Sequence, residues 1–260
     1  MNVKTWLADA RKRVDLLDAE IILTRVLCRE DRSYLAAHEN YILDEMQLHL
    51  AEMALRLREK GQPLAYILAE KEFYGRKFGV NPDVLIPRPE TEDIIDLVKK
   101  IKPKKVLDVG TGSGCIGVTL KCEMPEIDVA CSDVSIKALA VAEDNAKRHE
   151  ADGIKFIISD LLDDIHFKPD LVVANLPYVD PKWEWVDTES LKYEPSTALY
   201  AADHGLALIK KIINQCKERK VPRLILEADP SQHNDIIEFV SKKGFELAEA
   251  RGFILFFISL

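Results

Sequence analysis

Hydrophobic residues between positions 2 and 64 recur with helical spacing, and no alternating strand pattern interrupts them. Positions three and four apart lie on one face of a helix, so such residues form apolar stripes. Two stripes stand out: Leu16, Ile21, Ile22, Leu23, Val26 and Leu27, then Leu43, Met46, Leu50, Met53, Leu55 and Leu57. We therefore predict a bundle of about four helices over residues 1–70, with both stripes in its core.

Aromatic residues, glycines and prolines replace this pattern between positions 71 and 92. Residues 73–80 alternate in polarity and contain glycines, which is typical of a β-hairpin. Pro87 and Pro89 hold the following chain extended as far as Thr91, which is the residue type expected at a helix N-cap. The segment is thus predicted to be a hairpin and an extended linker between two domains.

Strand and helix patterns alternate over residues 93–260, where short β-branched runs are separated by longer amphipathic segments. The predicted strands are 106–109, 129–132, 156–158, 171–174, 224–226, 245–247 and 253–258. Such alternation indicates βαβ units, a mostly parallel sheet and helices on both of its faces. The predicted fold class is α/β, with a Rossmann-like sheet that follows a small helical domain.

Composition excludes several classes of protein. A hydrophobic content of 47% argues against disorder, and no run reaches the roughly 18 apolar residues of a membrane span. A net charge of −8 disfavours a general nucleic-acid binder. Five scattered cysteines, with no Cys-x-x-Cys pair and no metal-ligand spacing, indicate reduced thiols and no metal. The first residues do not resemble a signal peptide, so a cytoplasmic protein without membrane contact is expected.

A glycine-rich turn, Gly110-Thr111-Gly112-Ser113-Gly114, lies between the first of these strands and a helix. Its glycines permit a tight turn and a close approach to a ligand at the carboxyl end of a strand. The dinucleotide fingerprint fails because Cys115 stands where a third small residue is needed, and no Gly-Lys-Ser/Thr is present. We therefore expect the turn to bind a ligand by groups other than phosphates.

Acidic residues follow the next two strands. Asp133 ends the second strand, where a carboxylate can accept hydrogen bonds from both hydroxyls of a ribose. Asp160 follows the third strand and can accept from the exocyclic amine of an adenine. An adenosine without phosphates fits these positions. We predict S-adenosylmethionine as the cofactor and S-adenosylhomocysteine as its product.

The fourth strand ends in Asn175-Leu176-Pro177-Tyr178. A nitrogen with a delocalised lone pair becomes nucleophilic when two acceptors take its N–H groups and turn the lone pair towards the methyl donor. The Asn175 side chain and the Leu176 carbonyl can be those acceptors, and Pro177 favours the extended backbone that aims this carbonyl. Tyr178 would pack on the planar group. These four residues are the predicted catalytic turn.

Motifs along nearly the whole chain together resemble the protein-(glutamine-N5) methyltransferases of bacterial peptide chain release factors (PrmC, also called HemK). The matching segments are 18–20, 35–38, 63–67, 73–75, 85–92, 110–114, 175–178, 193–195 and 198–199, with Glu227 and Gln232 from a late motif. The stretch Ile-Pro-Arg-Pro-Glu-Thr-Glu combined with the Asn-x-Pro-Tyr turn is highly specific for this family, whereas the glycine loop is shared by all class I methyltransferases.

The resemblance implies a helical domain over 1–70 that docks the release factor, a linker over 71–92 and a class I catalytic domain over 93–260. The substrate would be the glutamine of a Gly-Gly-Gln motif, methylated on its side-chain nitrogen, which modulates translation termination. The implied cofactor contacts are Gly110, Thr111, Gly112, Ser113, Gly114, Asp133, Asp160, Leu161 and Asn175. A monomer that does not bind nucleic acid directly is expected.

Some positions depart from the family pattern. Leu176 replaces the first proline of Asn-Pro-Pro-Tyr, which keeps the carbonyl but removes a rigid residue, and residues 251–260 lack the usual closing motif. Two alternatives stay open, and these departures motivate the second of them. One is an adenine-N6 or other nucleic-acid amino methyltransferase, because the same turn can orient an exocyclic amine. The other is an adaptor that binds the cofactor without catalysis.

Overall fold

The computed structural model describes residues 1–184 and 191–260, and the chain divides into two compact units. Of the described residues, 1–70 and 191–193 form the first unit, and 71–184 and 194–260 form the second. None of the helices in these ranges combines the length and the apolar character that a membrane crossing requires.

The described residues of the first unit form five helices, where the sequence predicts about four. They are α1 Val3–Ala10, α2 Leu16–Val26, α3 Ser33–Ala37, α4 Glu45–Glu59 and α5 Leu64–Leu68. The N-cap residues of α1, α2 and α4 are Asn2, Asp15 and Asp44, and the side chain of each accepts a hydrogen bond from a backbone N–H of the first turn. The core includes Trp6, Ile22, Leu23, Leu43 and Leu55.

The second predicted stripe lies only partly in the core: Leu43 and Leu55 are buried, but its other four residues are exposed. Met46, Leu50, Met53 and Leu57 are 66%, 45%, 50% and 38% exposed, whereas Ala51 and Leu55 are buried. The apolar residues of α4 are spread around much of its circumference, so its sequence offers more than one candidate face for the core. The face with Ala51 packs towards α2, because a small side chain allows two helices to approach closely.

A two-stranded hairpin, β1 Glu70–Phe73 and β2 Arg76–Gly79, precedes the main sheet. The strands of that sheet are β3 Lys105–Val109, β4 Asp128–Asp133, β5 Lys155–Ile158, β6 Leu171–Ala174, β7 Arg223–Glu227, β8 Phe245–Arg251 and β9 Ile254–Ser259. The accompanying helices are α6 Glu92–Ile101, α7 Cys115–Glu123, α8 Ile136–Arg148, α9 Ala207–Glu218 and α10 His233–Ser241.

The main sheet has the order β5-β4-β3-β6-β7-β9-β8. The strands β5, β4, β3, β6 and β7 pair in parallel, and β9 lies antiparallel between β7 and β8. The α/β fold class is thus confirmed. Chain order reverses between β3 and β6, and the crevice at the carboxyl ends of two such strands is where open α/β sheets bind ligands.

The central strands of the sheet are buried on both faces. Leu171 and Val173 of β6 face one apolar cluster, and Val172 and Ala174 face the other, because successive side chains of a strand point to opposite sides. Helices α6 and α7 cover the first cluster, and α9 and α10 cover the second. Burial on both faces explains why these strands have continuous hydrophobic runs rather than alternating ones.

Candidate active site

A cleft of about 320 Å³ opens at the carboxyl ends of β3, β4 and β6. Of the predicted site residues, its lining includes Gly110, Thr111, Gly112, Ser113, Asp133, Asp160, Leu161, Asn175, Leu176 and Pro177. Gly114 and Tyr178 are outside this lining. The structure therefore brings the glycine loop, both acids and the Asn175 turn to one cleft at the reversal of strand order.

The glycine loop packs closely against the Leu176 side chain at Gly110 and leaves open space at Gly112. Gly110 and Gly112 have φ values of +71° and +54°, which residues with side chains rarely adopt. A Cβ atom at Gly110 would lie 3.1 Å from the Leu176 side chain, whereas one at Gly112 would meet nothing within 4 Å. A substituent at Gly112 would therefore extend into the space of the cleft.

The backbone of the loop holds the Asp133 carboxylate in place. Its Oδ2 accepts from the Gly112 N–H at 3.0 Å, and its Oδ1 accepts from the Ser135 N–H at 2.9 Å. Burial raises the pKa of Asp133, although these backbone hydrogen bonds oppose the shift. Each oxygen keeps a further lone pair, so the carboxylate can accept from two ligand hydroxyls.

Asp160 also lines the cleft but is more exposed, and its Oδ2 accepts from Lys211 Nζ at 2.6 Å. The next residue, Leu161, is buried with a φ of +55°. A ligand amine would share the Asp160 carboxylate with the lysine, so the adenine contact of Asp160 stays a prediction.

Asp108 of β3 is a buried carboxylate to which the sequence analysis assigns no role. Its Oδ2 accepts from Thr111 Oγ1 at 2.6 Å and from the Gly117 N–H at 3.0 Å, which ties the glycine loop to α7. Its Oδ1 has no hydrogen-bond partner within the described residues. Burial raises the pKa of Asp108 to about 6. An acid two residues before the first glycine of the loop is the sequence signal that could have identified it.

The charges around the cleft suit a cationic ligand better than a phosphate. Among the described lining residues, Asp83, Asp133 and Asp160 are acidic, and Arg88 is basic. The Arg88 guanidinium already donates to the buried Glu194 at 2.6 Å. Since a phosphate would need free cations or open N–H groups, this lining fits a sulfonium cofactor that carries an adenosine without phosphates.

Glu194 connects two segments that the sequence analysis singles out separately. Its Oε2 accepts from the Ile86 N–H at 3.0 Å, while its Oε1 accepts from Arg88. The chain around positions 85–92 is thereby held along the cleft, where Pro87, Arg88 and Thr91 contribute to the lining. A buried carboxylate with charge-assisted hydrogen bonds fixes such a segment more firmly than apolar contacts alone.

The Asn175 turn presents two carbonyl acceptors. Asn175 Nδ2 donates to Thr91 Oγ1 at 3.2 Å, and the Leu176 side chain is buried. Within residues 1–184 and 191–260, no hydrogen bond is directed to Asn175 Oδ1 or to the Leu176 carbonyl oxygen. Both atoms therefore remain able to accept from a substrate.

Thr91 does not have the predicted capping role. Its side chain makes no hydrogen bond to the α6 N-terminus, because Thr91 itself has a helical φ of −66° and closes a short 3-10 turn. Instead Thr91 Oγ1 donates at 2.7 Å to Oε2 of Glu227, which ends β7. The place of Glu227 at a strand end, like those of Asp133 and Asp160, is the sequence signal that points to a role at the cleft.

Tyr178 is held by partners on two other segments. Its hydroxyl donates to Glu227 Oε1 at 3.3 Å, and its backbone carbonyl accepts from Gln232 Nε2 at 2.9 Å. Burial and the negative charge of Glu227 raise the pKa of Tyr178, so its hydroxyl stays protonated at neutral pH. Gln232 also donates to the His204 carbonyl at 2.9 Å, which joins the turn to the loop before α9.

Two family models match parts of this chain. The family model described as "Methyltransferase small domain" matches residues 91–189, and the one described as "PrmC N-terminal domain" matches residues 3–68. A methyltransferase from Pyrococcus furiosus has a TM-score of 0.52 at 16% identity, covering 72% of this chain and 91% of that one. That likeness shows the shared fold.

Two relatives resemble most of the chain. A release factor glutamine methyltransferase of Koribacter versatilis (strain Ellin345) is 40% identical over 214 residues, which cover 79% of this chain and 75% of that protein. Another, from Coxiella burnetii (strain RSA 493 / Nine Mile phase I), is 36% identical over 247 residues, with coverages of 90% and 87%. This chain belongs to the family of release factor glutamine methyltransferases.

Proposed function

We propose that this protein transfers a methyl group from S-adenosylmethionine to the side-chain amide nitrogen of the glutamine in the Gly-Gly-Gln motif of bacterial peptide chain release factors. The observation that carries the proposal is the pair of acceptors Asn175 Oδ1 and the Leu176 carbonyl, to which no described residue donates, beside an acidic cleft. A primary amide has two N–H groups to match those acceptors. Family membership supports the release factor as its source.

The cleft would hold the cofactor, which supplies an electrophilic methyl group when bound. Asp133 would accept from the ribose hydroxyls, and Asp160 with Leu161 would border the adenine. Gly110 and Gly112 bring backbone rather than side chains to the cleft, so a ligand can approach closely. Burial raises the pKa of Asp133, but its bonds to two N–H groups oppose that effect and favour the charged acceptor.

The residues of the turn activate and orient a weak nucleophile. Acceptors on both N–H bonds of the glutamine amide reduce the delocalisation of its lone pair and direct it towards the methyl group. They would also stabilise the positive charge that develops on nitrogen as the new N–C bond forms at the expense of the S–CH3 bond of the donor, and one N–H proton would then pass to solvent water. No covalent bond to the protein is required, so positioning accounts for most of the expected rate enhancement.

The helical unit is proposed to hold the protein substrate. Residues 1–70 would dock the release factor, residues 71–92 would link them to the catalytic part, and residues 93–260 would carry out the transfer. The match of residues 3–68 to the "PrmC N-terminal domain" model supports a role for this unit that is specific to the family. The residues that line the cleft lie between positions 82 and 208, outside this helical unit.

The direct test is methyl transfer from labelled S-adenosylmethionine to a purified release factor. A variant with Gly-Gly-Ala in place of Gly-Gly-Gln is assayed beside it, together with bulk DNA and RNA. We expect label on the intact release factor alone. Label on nucleic acid alone would favour the amino methyltransferase alternative, and cofactor binding without any transfer would favour the adaptor.

We expect Gly112→Val to abolish measurable cofactor binding while the protein stays folded. The valine side chain would extend into open space in the cleft, because a Cβ at this position meets nothing within 4 Å. Isothermal titration calorimetry with S-adenosylmethionine measures the effect. Gly75→Val is the matched control, since Gly75 also has positive φ and open space but lies in the β1–β2 turn. Wild-type affinity in Gly112→Val would contradict the placement of the cofactor.

A further inference from the structure

Glu227 joins the catalytic turn to the segment before α6. It lies at the end of β7, next to β6 in the sheet, and is 1% exposed. Its Oε2 accepts from Thr91 Oγ1 at 2.7 Å, and its Oε1 accepts from the Tyr178 hydroxyl at 3.3 Å. Thr91 Oγ1 in turn accepts from Asn175 Nδ2 at 3.2 Å. One buried carboxylate is thus connected to two side chains of the turn.

When Glu227 is ionised, the hydrogen bonds from Asn175 to Thr91 and from Thr91 to Glu227 can run in only one direction. An ionised carboxylate can only accept, so Thr91 must give its single hydroxyl proton to Glu227. The Thr91 oxygen can then only accept from Asn175, which must direct its Nδ2 amine towards Thr91. The carbonyl oxygen Oδ1 of Asn175 consequently lies on the other side of the amide group.

We propose that Glu227 and Thr91 are positioning residues that fix the orientation of the Asn175 amide, so that Oδ1 rather than Nδ2 meets the substrate nitrogen. The inference rests on the proposed function, because only a substrate that donates an N–H requires an acceptor at this position. A reversed amide would present a donor to the donor of the substrate. Preorganisation of this kind affects the rate of transfer more than the binding of the cofactor.

Protonation of Glu227 would allow the hydrogen bonds between Asn175, Thr91 and Glu227 to run in either direction. A protonated carboxyl can donate to Thr91, and the Thr91 hydroxyl can then donate to Oδ1 of a reversed Asn175 amide. The groups that act on Glu227 are Glu90, Thr91, Cys115, Asn175 and Tyr178. Burial, with the nearby negative charge of Glu90, raises the pKa of Glu227 to about 7, against the hydrogen bonds. We therefore expect kcat to fall as the pH decreases through about 7.

The test compares threonine variants of the full chain in the release factor assay. Thr91→Val keeps the shape of the side chain but removes the hydroxyl, and we expect kcat to fall about tenfold or more, with cofactor affinity unchanged. Thr91→Ser restores the hydroxyl and should recover most of that rate. Thr119→Val is the matched control, because Thr119 is a buried threonine of α7 whose hydroxyl has no partner within the described residues. It should leave kcat unchanged.

A second variant keeps the inference testable if Thr91→Val does not fold. Glu227→Gln has nearly the same shape and cannot ionise, so its kcat should be lower and independent of pH around 7. Wild-type kcat in Thr91→Val, or a wild-type pH profile in Glu227→Gln, would overturn the inference while leaving the proposed function intact. Absence of transfer by the wild-type protein would instead overturn the proposed function.

Discussion

Asn175→Ala is expected to reduce methyl transfer to the release factor by about 10²–10³-fold or more, while S-adenosylmethionine still binds. In the proposed function the side chain supplies one of two acceptors for the substrate amide, and its Oδ1 has no competing donor among the described residues. With only the Leu176 carbonyl left, the glutamine nitrogen keeps more of its delocalisation and can rotate away from the methyl group. The effect should therefore appear in the rate of a single turnover.

Two measurements separate this role from a general loss of structure. Calorimetry on Asn175→Ala should show cofactor affinity close to that of the wild type, because the glycine loop and Asp133 are unchanged. Asn214→Ala provides the control, since Asn214 is a half-buried residue of α9 outside the lining of the cleft. Full transfer activity in Asn175→Ala would show that the turn does not work through this amide.

The parts of the fold that the sequence predicts correctly depend on local patterns. The run Leu171–Ala174 is apolar throughout because β6 is buried on both faces, and a glycine loop after a strand indicates a ligand site. The predicted strands all overlap observed ones. Once the strands are parallel, their carboxyl ends meet at one edge, which is why Asp133 and Asn175 could be assigned to one cleft.

The errors concern contacts between segments far apart in the sequence. Thr91 lies directly before α6 and has the residue type of an N-cap, yet its partner Glu227 is 136 positions away. Only the order β3-β6-β7 shows that the end of β7 lies beside the Asn175 turn. The prediction of which α4 residues lie in the core is wrong at four positions for a related reason. Its apolar residues permit several faces, and the packing of Ala51 and Leu55 in the bundle selects one.

Gly205, in the loop before α9, packs so closely against the Tyr178 backbone that Gly205→Ala should destabilise the protein strongly. Gly205 has a φ of +85°, and a Cβ there would lie 1.9 Å from the Tyr178 carbonyl oxygen and 2.6 Å from Gln232 Nε2. Both neighbours are fixed, since Gln232 already donates to that carbonyl at 2.9 Å. Relief requires the backbone of the turn to move, so we expect a loss of about 3 kcal/mol or more in the free energy of unfolding.

Transfer activity per folded molecule should fall as well, because the displaced Tyr178 backbone belongs to the same turn as Asn175. Urea denaturation followed by circular dichroism measures the stability, and labelled methyl transfer measures the activity. Gly153→Ala separates the two costs, since Gly153 has a similar φ of +81° but nothing within 4 Å of its Cβ position. It should lose only about 1–2 kcal/mol, from the backbone conformation alone, and keep full activity. Equal losses in both variants would mean that close packing of Gly205 against the catalytic turn contributes nothing to stability.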